Sequence, residues 1–272
     1  MKNIIVAEAQ GFCWGVRRAL DIVDEHGPLA ILGDLIHNKQ VVQKLEEKGK
    51  RVIQEVTGEE QTPIVITAHG TTVENIQTIQ SHDKELIDTT CPLVSNIYEA
   101  GHEFEEQGYR ILILGDRNHV EVKGIASRMQ APIIANNEEE LAQVDLPDRV
   151  GIICQSTFSP SVFDKMVAFV RERCAEVLIK DTICAPTKKR QGAAEKLAQQ
   201  VEIMVVVGGF HSSNTKKLAI IASTYVETHH VETAEQLQEE WFIGKTEIGI
   251  TAGASTADWI IEDVSARIAS FS

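Results

Sequence analysis

Short aliphatic and β-branched runs alternate along this chain with longer stretches whose apolar positions recur at helical spacing. The runs predict strands over residues 3–7, 29–32, 63–68, 85–88, 110–114, 131–134, 150–154, 177–180, 203–207, 224–226 and 247–251. Amphipathic helices are predicted over 41–48, 94–107, 161–173, 188–199 and 215–223. Strand and helix in regular alternation is the pattern of parallel sheets covered by helices, so the predicted fold class is α/β. No linker, low-complexity tract or charge block interrupts the pattern.

The strand ends repeat. A strand–Gly–polar loop occurs as ILGDLIHN (31–38), ILGDRNHVE (113–121) and VVGGFHSSN (206–214). A strand–polar turn occurs as VITAHGTT (65–72), IICQSTFS (152–159) and GITAGAST (249–256). A strand–Cys turn occurs as LIDTTCPLV (86–94), IKDTICAPT (179–187) and, at the start of the chain, IIVAEAQGFCWGV (4–16). The first two kinds follow one another three times, and two of those units end in the Cys turn. The last unit lacks it, and the N-terminal strand supplies it if it docks there. Three similar α/β units of about 90 residues are therefore expected, a small size for independent folding. They are a first domain over 14–97, a second over 98–191, and a third over 192–272 completed by the strand in 1–13. Ligands of open parallel sheets bind beyond the carboxyl ends of strands. Three units in a pseudo-threefold arrangement would aim nine such loops at one central cleft.

Composition narrows the function classes. At 43% hydrophobic and 24% charged, the 272 residues hold ample material for a buried core. With 26 basic against 40 acidic residues the net charge is −14, which argues against nucleic acid and anionic membranes as partners. The apolar run at the N-terminus is too short for a signal segment and no membrane span is evident, so a cytoplasmic location is expected. In that reducing setting an odd count of five cysteines reads as packing residues or metal and redox ligands rather than a disulfide set.

Cys13, Cys91 and Cys184 share a context: each follows a strand and precedes a helix start, where the helix dipole favours a thiolate. Cys154, in an apolar strand, and Cys174, at the end of an amphipathic helix, read as packing residues. Three thiolates could hold zinc with an open fourth position, or a cubane cluster with one iron lacking a protein ligand. Sulfur-only ligation leans towards the latter.

The polar turns carry the other candidates. His37, His69 and His119 suit a diphosphate partner. Ser212, Ser213 and Asn214 follow two glycines and open a helix, presenting hydroxyls and N–H groups to an anion, although such a triplet also serves as a plain N-cap. Ser255 completes a similar small-residue turn. Glu121 lies two residues beyond His119, an alternation that would turn both towards the cleft. A carboxyl group beside an anionic substrate keeps its proton more readily, which suits a general acid.

Taken together, GFCWGV, DTTCPLV, DTICAPTKKRQ, TAHG, HVEV, GGFHSSNT and TAGAS resemble the 4-hydroxy-3-methylbut-2-enyl diphosphate reductase family, which performs the last step of the methylerythritol phosphate pathway, and do so in the same order along essentially the whole chain. The resemblance implies three α/β domains around one central 4Fe–4S cluster held by Cys13, Cys91 and Cys184, with one iron lacking a Cys ligand. It implies His37, His69, His119, Ser212, Ser213, Asn214 and Ser255 as the diphosphate-binding set, and Glu121 as catalytic acid with Ser156 near the substrate hydroxyl. It further implies an allylic diphosphate as substrate and an electron donor such as ferredoxin or flavodoxin. Ser156 stands where the family commonly has Thr, Val120 where it has Pro, and Trp14 where it has Ala. The residues taken alone leave two rivals, a three-thiolate zinc hydrolase and a redox-sensing or cluster-carrying protein.

Overall fold

The computed structural model describes residues 2–271. Its twelve strands form three separate four-stranded, fully parallel sheets, as the α/β reading requires. One sheet uses β2 (Leu29–Leu32), β3 (Lys50–Ile53), β4 (Ile64–Ile66) and β5 (Leu86–Asp88) in the order β3-β2-β4-β5. A second uses β6 (Arg110–Leu114), β7 (Ile133–Ala135), β8 (Arg149–Cys154) and β9 (Glu176–Ile179) in the order β7-β6-β8-β9. The last orders β10 (Ile203–Val207), β11 (Thr228–Val231) and β12 (Glu247–Ala252) with the N-terminal strand β1 (Asn3–Val6) as β1-β12-β10-β11. All three orders are the same: the second strand of the set, then the first, the third and the fourth. β1 takes the fourth place, pairing Ile4 with Ile248 and Val6 with Ile250.

Contacts divide the chain into two compact units. One comprises residues 1–17, 36–44 and 185–272 and holds the sheet that contains β1. The other comprises 18–35 and 45–184 and holds the other two sheets. Central strands such as β4 and β10 are buried at every residue, which is why they read as unbroken aliphatic runs. Ten α-helices flank the sheets among the described residues. Those that bear on the sites are α1 (Trp14–Glu25), α4 (Pro92–Glu106), α5 (Val120–Ala126), α8 (Ala185–Ala198) and α9 (Ser213–Ser223). No helix among the described residues is long and apolar enough to cross a membrane.

One predicted strand is corrected, and one observed strand is not among those predicted. Residues 224–226 are not a strand: the amides of Tyr225 and Val226 donate to the Ala222 carbonyl, so this segment finishes the helix turn and β11 starts later, at Thr228. The β preference of Thr-Tyr-Val gives way to the hydrogen bonds of the helix end. β3 escapes the pattern because an edge strand reading Lys-Arg-Val-Ile has little apolar periodicity in four residues.

Candidate functional site

In each sheet the first strand connects outward to the second, and the third lies on its other side. The connections after the first and third strands therefore flank a topological switch point, the usual ligand crevice of an open parallel sheet. The polar turns singled out in the sequence are these connections.

In the larger unit, His119 ends the β6 turn as the N-cap of α5, and its Nδ1 accepts the Glu121 N–H at 3.1 Å. An accepting Nδ1 leaves the hydrogen of the neutral ring on Nε2 as its donor. Glu121 is thus in the first turn of a helix, not in an extended segment: the alternation expected at 119–121 is overridden by the cap. It is buried, and its carboxylate faces the turn after β8. There Oε1 accepts the Ser156 amide at 2.6 Å and Oε2 accepts the Ser156 hydroxyl at 2.8 Å. Ser156 is itself buried. The two residues, 35 apart in sequence, are joined across the switch point of one sheet.

His69 follows β4 in the neighbouring sheet of the same unit, and its ring meets that of His119 edge-on with centroids 5.6 Å apart. The two sheets are fastened beside this pair. Arg128 donates to the carbonyls of Thr71 and Gly124 at 2.7 Å each, and the Val73 amide donates to Ser127 Oγ. Within the larger unit, two imidazoles and a buried acid with its hydroxyl partner are thus supplied by neighbouring strand ends.

In the smaller unit the loop after β10 leads into α9. Ser212 is the N-cap, its hydroxyl accepting the Thr215 amide at 3.3 Å. Asn214 is buried, and neither its Oδ1 nor its Nδ2 has a hydrogen-bond partner among the described residues. Ser255, after β12, donates from Oγ to the His37 carbonyl at 3.3 Å. A Cβ at Gly209 would overlap that same carbonyl oxygen, so only glycine lets the His37 segment approach this closely. His37, Ser212, Ser213, Asn214 and Ser255 all belong to this unit, and His69, His119, Glu121 and Ser156 to the other.

The cysteines divide by environment. Cys91 is the N-cap residue of α4, with Pro92 in the first turn and no capping bond from its side chain. Cys13 immediately precedes α1, where the Val16 amide donates to its sulfur at 3.5 Å, and Cys184 immediately precedes α8. All three are half-buried. Cys154 is fully buried, and burial pushes its thiol up to about 12. Burial also raises that of Cys174, which packs against the core. Cys13, Cys91 and Cys184 each sit half-buried at the start of a helix, where sulfur is accessible to a metal and faces the positive end of the helix dipole, so as donors they fit a metal–sulfur centre; the buried or core-packed Cys154 and Cys174 do not. Among the described residues no group of three or more His, Cys, Asp and Glu side chains is disposed as a metal site. Cys13 belongs to the smaller unit, Cys91 and Cys184 to the larger.

Sequence reasoning missed several buried polar groups. The side-chain nitrogen of Gln155 and the hydroxyls of Thr215 and Thr251 have no hydrogen-bond partner among the described residues. Each stands in or beside a polar turn already singled out, but burial of a polar atom leaves no mark in a sequence. Tyr98 is a further case: its hydroxyl abuts Gly70 in the His69 turn, and burial pushes it up to about 12.

Comparison with known proteins covers nearly the whole chain. Residues 4–269 match the family model described as LytB protein. The 4-hydroxy-3-methylbut-2-enyl diphosphate reductase of Nitratiruptor sp. is 39% identical over 265 residues, covering 96% of each chain. That of Geobacter sulfurreducens is 36% identical, over 99% of this chain and 98% of its own. A solved structure of (E)-4-hydroxy-3-methyl-but-2-enyl diphosphate reductase, the terminal enzyme of the non-mevalonate pathway, matches 99% of both chains at 36% identity with a TM-score of 0.70. The structure of E-1-hydroxy-2-methyl-but-2-enyl-4-diphosphate reductase from Plasmodium falciparum matches at 25% identity with a TM-score of 0.92, over 97% of this chain and 87% of its own. Family match, relatives and folds thus agree from one end of the chain to the other, and the chain belongs to the LytB protein family.

Proposed function

We propose that this chain is a 4-hydroxy-3-methylbut-2-enyl diphosphate reductase. It removes the allylic hydroxyl of that substrate to give isopentenyl and dimethylallyl diphosphate. The observation that carries the reading beyond family membership is the buried Glu121–Ser156 pair beside His119 and His69. A reductive dehydroxylation consumes two electrons and two protons and releases water, so a chain that performs it needs a protected proton donor and a reductant.

Cys13, Cys91 and Cys184 would hold the 4Fe–4S cluster with one iron lacking a Cys ligand. When bound, that group supplies single electrons and a Lewis-acidic iron for the hydroxyl oxygen. The chain's own residues do the rest. His37, His69, His119, Ser212, Ser213, Asn214 and Ser255 bind the diphosphate. The buried amide of Asn214, without a partner among the described residues, is the condition of a side chain whose partner is a ligand. Glu121 carries a proton on its carboxyl group and delivers it to the departing hydroxyl. The Ser156 hydroxyl, 2.8 Å from that carboxyl group, orients it and extends the relay. Burial of both keeps bulk water from competing for the proton. The three domains expected from the sequence correspond in this reading to the three sheets, and the electron donor is a small protein such as a ferredoxin or flavodoxin. The location is the cytoplasm.

The test is turnover of the allylic diphosphate by anaerobically purified protein, with iron and acid-labile sulfide measured on the same sample. Formation of the two five-carbon diphosphates, with iron present, is the expected result. Zinc in place of iron, or iron without turnover, would overturn it in favour of a hydrolase or a cluster carrier respectively.

A further inference from the structure

We propose that Glu232 is a positioning residue that ties two diphosphate-binding segments together; this rests on the diphosphate reading above. Glu232 follows β11, the edge strand of its sheet, and its side chain is only 16% exposed. One carboxylate oxygen accepts the Phe210 amide at 2.8 Å, in the loop that leads to Ser212, Ser213 and Asn214. The other lies 3.9 Å from the ammonium group of Lys39, two residues beyond His37. The end of β11 grips the same loop twice more. The Gly208 amide donates to the Val231 carbonyl at 2.9 Å, and His230 Nε2 donates to the Gly208 carbonyl at 2.8 Å. The His230 ring also meets the Phe210 ring edge-on, with centroids 4.8 Å apart. The Gln236 side chain accepts the Glu232 amide at 2.6 Å, so the strand end that carries the carboxylate is itself held.

These contacts converge on one function. The loop must keep the first turn of α9 and the His37 carbonyl in register, because Gly209 is pressed against that carbonyl and Ser255 donates to it. A carboxylate with one oxygen on each segment fixes the distance between them before the anion arrives. The Phe210 contact is the stronger arm, a charge-assisted bond to a backbone donor. The Lys39 arm is weak because the ammonium group is 74% exposed.

Calorimetric titration of the full chain with inorganic diphosphate tests this without calling on turnover. Glu232→Ala should weaken binding about tenfold, the effect of losing one charge-assisted bond that holds a binding loop. Glu232→Gln keeps an acceptor of the same reach for the Phe210 amide and should stay within about threefold of wild type. Glu232→Asp keeps the charge but falls one methylene short, so it should bind as poorly as Glu232→Ala. Should Glu232→Ala fail to fold, judged by circular dichroism, Glu232→Asp takes its place. Unchanged binding by Glu232→Ala, or tighter binding by Glu232→Asp than by Glu232→Gln, would overturn the positioning role. Wild-type protein that binds no diphosphate, or a His37→Ala variant that binds as well as wild type, would instead overturn the diphosphate reading and this proposal with it.

Discussion

Glu121→Gln separates chemistry from stability at the one buried acid that the larger unit places against Ser156. Glutamine is nearly isosteric. Its carbonyl can still accept the Ser156 amide, now at 2.6 Å from Oε1, and its NH2 group can donate to the Ser156 hydroxyl, which rotates to accept. With the carboxyl group carrying its proton, neutral bonds to Ser156 are exchanged for neutral bonds, each changing by no more than about 0.5 kcal/mol. The net change is within about 1 kcal/mol, or about 2–4 °C in thermal midpoint for a chain of this size. Loss of a general acid is larger, about 10²–10⁴ in rate, equivalent to about 3–5 kcal/mol on the barrier. The assay is kcat on cluster-loaded protein with a chemical one-electron reductant, beside a melting curve of the same preparation. A slow enzyme with an almost unchanged midpoint is expected. A kcat within twofold of wild type would refute the proton-donor assignment, and a midpoint lowered by about 10 °C would show that the pair is structural instead.

Other outcomes follow from the same geometry. Ser156→Ala leaves the amide contact to Glu121 but removes the hydroxyl, and should lower kcat about tenfold, while Ser156→Thr should retain most activity. Cys91→Ser should lower iron and acid-labile sulfide content sharply, whereas Cys174→Ser should leave both unchanged; equal loss in the two would refute the division by environment. Gly70→Ala adds a Cβ at φ 77 that overlaps the Tyr98 hydroxyl, whereas Gly49→Ala, at φ 80, meets nothing within 4 Å. Denaturant titration should show about 1–2 kcal/mol lost at Gly49 and clearly more at Gly70. Burial raises the Tyr98 hydroxyl from 10.0 to about 12, so its contribution to stability is complete below pH 10 and is lost as pH rises towards 12. Tyr98→Phe should flatten that alkaline decline, and an unaltered pH profile between those values would refute the assignment.

Much of this architecture is legible in the amino-acid pattern alone. A central parallel strand is buried on both faces, so β2, β4, β6, β8, β10 and β12 announce themselves as aliphatic runs, and the turns that close them recur in a fixed order. The Cys turns and the polar turns carrying His69, Ser156 and Ser255 are local strings of residues, and local strings survive reading without coordinates. What only the tertiary structure decided is non-local. The strand-end repeats lead the N-terminal strand to the last unit, but strand order and the pairing of β1 with β12 depend on backbone bonds between segments 244 residues apart. The grouping of residues 36–44 with the smaller unit depends on Gly209 admitting the His37 carbonyl, and the meeting of Glu121 with Ser156 depends on two turns facing one another across a switch point. Periodicity reports which face of an element is buried; it carries no information about what that face meets, because the partner is chosen by packing and hydrogen bonding between parts of the chain that no sequence window spans.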